Sequence, residues 1–131
     1  MKIFVFGNPF IKQDSAPLHL VEHLIKLFPS INFIVADPNE DFPPEDEKDP
    51  IILDTVVNIK KPTMISLDDL KEIEKAPISP HDYDLLMHLF LLKKTGRLRS
   101  VRIIGIPPVV DSKTQLITEI KKLILTLQKE R

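Results

Sequence analysis

Three side chains in this sequence could share a divalent metal ion: Asp14, Asp54 and His81. Two carboxylates and one imidazole make a donor set that suits a borderline ion and leaves coordination positions open for a substrate. Each stands where a patterned segment meets a turn. Asp14 closes the turn that begins at Gly7 and Asn8 and leads into a helix. Asp54 ends the apolar run Ile51-Ile52-Leu53. His81 follows Ser79-Pro80 in the first turn of another helix, a position that suits a neutral ring able to ligate. The same residues have plainer readings. Asp14 could be a helix N-cap, Asp54 a strand-end turn former and His81 a first-turn polar residue. Spacing alone leaves both readings open.

Other constellations are less informative. His19-Leu20-Val21-Glu22-His23 matches the H-x-x-E-H pattern of inverted zincins. His19, Glu22, His23 and Lys26 also fall at i, i+3, i+4 and i+7, so one polar helix stripe explains them without a metal. Asp84 lies between His81 and His88 and could orient either imidazole; a satisfied polar residue on a helix is the plainer reading of His88. There is no G-x-S-x-G elbow, and Gly7-Asn8-Pro9 is too poor in glycine to cradle a phosphate.

The elements that must position these groups follow from hydrophobic pattern. Lys2 to Phe6, Ile31 to Ala36, Ile51 to Asp54 and Ser100 to Ile106 are short apolar runs rich in β-formers, the mark of strands covered on both faces. Val56 to Ile59 could continue the third run, and Thr63 to Ile65 reads as a short edge strand. A helix is expected over Pro17 to Phe28, with Leu20, Val21, Leu24, Leu27 and Phe28 inward and Pro29 as its stop. A second starts at Ser79-Pro80-His81-Asp82 and runs to about Lys94, with Gly96 as its stop. Its stretch Leu85 to Leu92 is apolar nearly all round, which predicts deep burial. The last helix, capped by Asp111 or Ser112, has the core face Leu116, Ile117, Ile120, Leu123, Ile124 and Leu127. Residues 37–50 hold seven acids, one Lys and four Pro; this composition predicts a solvated loop near the rim of the site. The alternation of strand and helix predicts a three-layer α/β/α sandwich with a mainly parallel, twisted sheet of about five strands. Ligands of such folds bind beyond the carboxyl ends of the strands, where Asp14, Asp54 and His81 are expected.

The bulk composition narrows the function classes. The 131 residues suit one domain, 1–131. Cysteine is absent, which excludes disulfides, thiolate metal sites and a cysteine nucleophile and suits a cytoplasmic protein. No apolar run reaches bilayer length, and Met1 leads straight into a strand, so no signal peptide or membrane segment is expected. The formal net charge is −1, yet residues 93–131 carry ten Lys or Arg against three acids. These cations are spread over a helix face and both ends of the segment. With one Tyr and no Trp to stack on bases, nucleic acid is not expected as a partner.

With these residues in place, the chain resembles the hydrogenase maturation proteases, which trim the C-terminal tail of [NiFe]-hydrogenase large subunits. Gly7-Asn8-Pro9-Phe10-Ile11-Lys12-Gln13-Asp14 is similar to the family's Gly-Asn turn and acidic pair, with Asp14 on the second acid. Ile51-Ile52-Leu53-Asp54 matches the strand that ends in an Asp, Ser79-Pro80-His81 the helix-opening His, and Gly105-Ile106-Pro107-Pro108 the Gly-Ile-x-Pro turn. The resemblance spans nearly the whole chain, in order. It implies a phosphorylase/hydrolase-like sandwich and an endopeptidase acting on a nickel-loaded large-subunit precursor. It implies Asp14, Asp54 and His81 as ligands of the nickel that the substrate presents, with no tightly bound cofactor of the enzyme's own. A carboxylate such as Asp14 could serve as base. Gly7, Asn8, Asp84 and Gly105 would shape or support the site. Gln13 stands where the family has its first acid, and Pro17 where a glycine is usual. A non-catalytic, metal-dependent binding module of the same fold and a small-substrate metal hydrolase therefore stay open as alternatives.

Overall fold

The apolar runs become strands because each side chain finds a buried surface on its own side of a pleated ribbon. In the computed structural model the described residues are 1–6, 16–36, 42–56, 59–67, 83–108 and 112–130, with the backbone alone for 16–19 and 83–85. Among them lie β1 (Lys2–Val5), α1 (Ala16–Leu27), β2 (Asn32–Val35), β3 (Ile51–Thr55), β4 (Thr63–Ser66), α2 (Tyr83–Lys94), β5 (Arg102–Ile106) and α3 (Lys113–Lys129). The strands form one sheet in the order β2-β1-β3-β5-β4. β1, β2, β3 and β5 are parallel, and β4 closes one edge antiparallel to β5. The mainly parallel three-layer sandwich read from the sequence is the fold observed.

Period-two alternation divides the core. Ile3, Val5, Ile51, Leu53, Ile104 and Ile106 point to one face, where Leu20, Leu24 and Phe28 of α1 and Leu116, Ile120, Ile124 and Leu127 of α3 cover them. Phe4, Ile52, Val56 and Ile103 point to the other, beneath Leu86 and Leu89 of α2. Ser112 caps α3, its hydroxyl accepting from the Gln115 N–H at 3.2 Å; of the two expected caps, Asp111 lies outside the described residues. Gly96, at φ +84°, stops α2 as expected. Its N–H donates to Lys93 O at 3.1 Å and that of Arg97 to Leu92 O at 3.0 Å, a pair of bonds that needs a left-handed residue between them.

Three expectations change. α2 is buried on one side only: Met87 is 52% and Leu91 59% exposed, and His88 is exposed too. One helix packed on a sheet can bury only the stripe that faces it. Leu27 of α1, expected inward, is 44% exposed, because buried Leu20, Leu24 and Phe28 already form the i, i+4, i+8 row that meets the sheet. The acidic loop is not merely a solvated connector. The Phe42 ring stands edge-on to Phe4 and Phe6, with centroids 4.9 and 5.0 Å away. Pro43 O accepts from Arg97 Nη2 at 3.1 Å, and Lys48 O from the Arg99 N–H at 2.9 Å. The described part of the loop, 42–50, thus lies along the α2 face and ends at the amino edge of the sheet.

Candidate active site

The chain turns in opposite directions on either side of one gap. From β1 it passes through α1 to β2, outward to one side. From β3 it passes through β4 and α2 to β5, outward to the other. α1 lies on one face and α2 on the opposite one. The order therefore reverses between β1 and β3, and a crevice at the carboxyl ends of these two strands is where open α/β sheets bind ligands.

The described hydrogen bonds between the two strands end at Leu53. Phe6 N–H donates to Leu53 O at 2.9 Å. The next β3 amide on that side belongs to Thr55, and it donates to the Asp54 carboxylate, Oδ1, at 2.8 Å. On the other side Val56 N–H still reaches Ile106 O at 2.9 Å. The sheet thus stays closed between β3 and β5 beyond the last described bond between β1 and β3.

Asp54 stands at this point and is 1% exposed. It shares the α2-facing side of β3 with Ile52 and Val56, by alternation. The bond from the Thr55 amide holds its carboxylate against its own backbone. Burial of an ionisable carboxylate in a strand with apolar neighbours needs such fixed dipoles to offset lost hydration. Beside it in register is Gly105 of β5, and beyond that Thr63 of β4. A Cβ at Gly105 would lie 2.7 Å from Val56 Cγ2 and 3.3 Å from Ile59 Cδ1. Glycine there leaves room for Val56 and Ile59, which pack against it next to Asp54.

Asp14, His81, Gly7 and Asn8 lie outside the described residues, and Asp84 is described by its backbone alone. Among the described residues no three His, Asp or Glu side chains gather as a metal site. The H-x-x-E-H alternative has Glu22 and His23 exposed on α1, as a polar stripe would be. Thr55 was not singled out by sequence reasoning, since a Thr in an apolar run reads only as a β-former. It too is buried at the carboxyl end, 0% exposed, and by alternation shares the side of Leu53, which α1 and α3 cover. No helix among the described residues is long and apolar enough to cross a membrane.

The fold and crevice define a mainly parallel α/β sandwich with a carboxylate at its switch point. No protein-family model matches the chain, and no curated protein matches it in sequence. Two solved structures are similar to it. An endopeptidase from Escherichia coli is 17% identical and superposes with a TM-score of 0.65, covering 99% of this chain and 94% of the other. A hydrogenase 2 maturation peptidase from Thaumarchaeota archaeon SCGC_AB-539-E09 is 21% identical with a TM-score of 0.49, covering 98% and 97%. Both neighbours are peptidases. At these identities the likeness is one of fold.

Proposed function

We propose that this chain is an endopeptidase that removes the C-terminal extension of a nickel-loaded [NiFe]-hydrogenase large-subunit precursor. The observation that carries the reading is the placement of Asp54, a buried carboxylate at the carboxyl end of a central strand, beside the crevice between β1 and β3. The fold likeness to the E. coli endopeptidase, which runs the length of the chain, supports it. In this reading Asp14, Asp54 and His81 hold the nickel of the substrate, and the nickel is cargo of the precursor, not a resident cofactor. The Thr55 amide keeps the Asp54 carboxylate in one orientation, so little freedom is lost when the substrate arrives. Hydrolysis adds hydroxide to the scissile carbonyl carbon and the proton to the leaving amine. Asp14 is the group assigned to take the proton from water.

The test uses the purified protein with nickel-loaded and nickel-free precursor, read by intact mass. Loss of the tail from the loaded form alone is the expected result. Binding of the loaded form without cleavage would replace the reading by the non-catalytic module of the same fold. Equal cleavage of both forms would overturn the role of nickel.

A further inference from the structure

β2 and β4 are the outermost strands of the sheet, and the sequence guards only one of them. β4 is entered through Lys60, Lys61 and Pro62, and both lysines are exposed. Lysine and proline at an edge discourage another chain from pairing there. β2 reads Asn32-Phe33-Ile34-Val35 and holds neither charge nor proline. Its inner side is bonded to β1: Asn32 N–H donates to Met1 O at 3.0 Å, and Ala36 N–H to Val5 O at 2.9 Å. Backbone groups alternate along a strand, so Asn32, Ile34 and Ala36 face β1 while Phe33 and Val35 turn their N–H and C=O groups outward. Among the described residues no strand pairs with that outer side. Water reaches it, since Asn32 is exposed and Val35 is 59% exposed. Phe33 packs on the α1 and α3 side of the sheet and Ile34 on the α2 side; by alternation Val35 shares the side of Phe33.

We propose that β2 pairs antiparallel with β2 of a second copy of this chain, about a two-fold axis at Ile34. An antiparallel partner must set outward-facing residues opposite each other, so few registers are available. With the axis at Ile34, Phe33 lies opposite the partner's Val35, and Val35 opposite the partner's Phe33. Each of these two pairs exchanges both of its N–H···O=C bonds. On the other face Ile34 meets the partner's Ile34. Moving the axis to Phe33 would set Asn32 against the partner's Ile34. Moving it to Val35 would set Phe33 against position 37, an Asp in the sequence. One register therefore matches every apolar side chain of the strand with another and covers the exposed Val35 with an aromatic ring. A second copy is the occupant because this register is self-complementary in backbone and side chains alike. The formal net charge of −1 adds little repulsion between copies. The paired edge is short, so the dimer belongs to the weak class of interfaces, dissociating on the order of tens of micromolar.

Sedimentation velocity from about 1 μM to about 1 mM, with oxidative cross-linking of single-cysteine variants, tests it. The chain has no cysteine of its own, so each variant carries one thiol. The wild-type protein should pass reversibly from monomer to dimer and no further, because a two-fold contact closes on itself. Ile34→Cys should form a disulfide-linked dimer, since residues opposite each other at a non-hydrogen-bonded antiparallel position have Cα atoms about 4.5 Å apart, within disulfide reach. Val35→Cys should cross-link at least about tenfold more slowly, its two copies standing roughly 8 Å apart. Val35→Lys, at an exposed position, should keep the wild-type circular dichroism and weaken the dimer at least about tenfold. A wild-type protein still monomeric at about 1 mM would overturn the inference. So would assembly beyond the dimer, a dimer that Val35→Lys leaves intact, or cross-linking as fast through Val35→Cys as through Ile34→Cys. Should Val35→Lys fail to fold, the two cysteine variants decide alone.

Discussion

The two ends of the sheet handle polar groups in opposite ways. At the amino end a cavity of about 290 Å³ is lined by Asp49, Ile51, Ser100, Arg102, Leu127 and Glu130. Its charges are paired and wet. Asp49 accepts from Arg99 and from Ser100 Oγ, and Arg102 pairs with Glu130, with 73% of the Arg99 side chain and 39% of the Arg102 side chain exposed. At the carboxyl end Asp54 and Thr55 are 1% and 0% exposed. Exposed pairs contribute little, about 0–1 kcal/mol each. Buried polar groups have large effects in either direction. The proposed function uses the buried carboxylate at the carboxyl end and not the cleft at the amino end.

The sharpest way to break the comparison is Asp54→Asn. It preserves shape and should cut processing of the loaded precursor on the order of a hundredfold or more, the scale of losing a group at the reacting centre. Intact-mass analysis of the large subunit, with circular dichroism for the fold, checks this. A variant with full activity would remove Asp54 from the site. Gly105→Ala comes next. Its methyl would stand 2.7 Å from Val56 Cγ2, so overpacking should cost about 1–3 kcal/mol, seen as a lower urea midpoint. Ser112→Ala removes the α3 cap at the same end of the sheet and should cost about 1 kcal/mol, measured the same way. Smallest is Arg102→Ala at the amino end: no more than about 1 kcal/mol, with processing unchanged. A large loss there would show that the amino-end pairs matter more than their exposure suggests.

Much of the scaffold was legible in sequence because its signals are local. The run Ile51-Ile52-Leu53 could only be a buried strand, and the 3.6-residue spacing from Leu116 to Leu127 a helix with one inner face. Gly96 after Lys93-Lys94 marked a helix end. What failed was what depends on partners. Leu85 to Leu92 looks apolar all round, yet among its described side chains only Leu86 and Leu89 are buried, and sequence does not say how many neighbours a helix has. Phe42, set among acids and prolines, enters the core because Phe4 and Phe6 leave room for its ring edge. Of the candidate triad, the position of Asp54 followed from its place at the end of an apolar run, while Asp14 and His81 lie outside the described residues. Thr55 gave no signal, because its burial is a property of three-dimensional surroundings.

The strand order also sets a schedule for assembly. β3 has β1 on one side and β5 on the other, and β4 pairs only with β5 among the described strands. During synthesis the first three strands can align early, but β4 must wait for a partner that begins at Arg102. The rim around Asp54 is thus finished only when β5 slides between two strands made long before it. Such late, long-range closure is slow and leaves strand edges open to mispairing meanwhile.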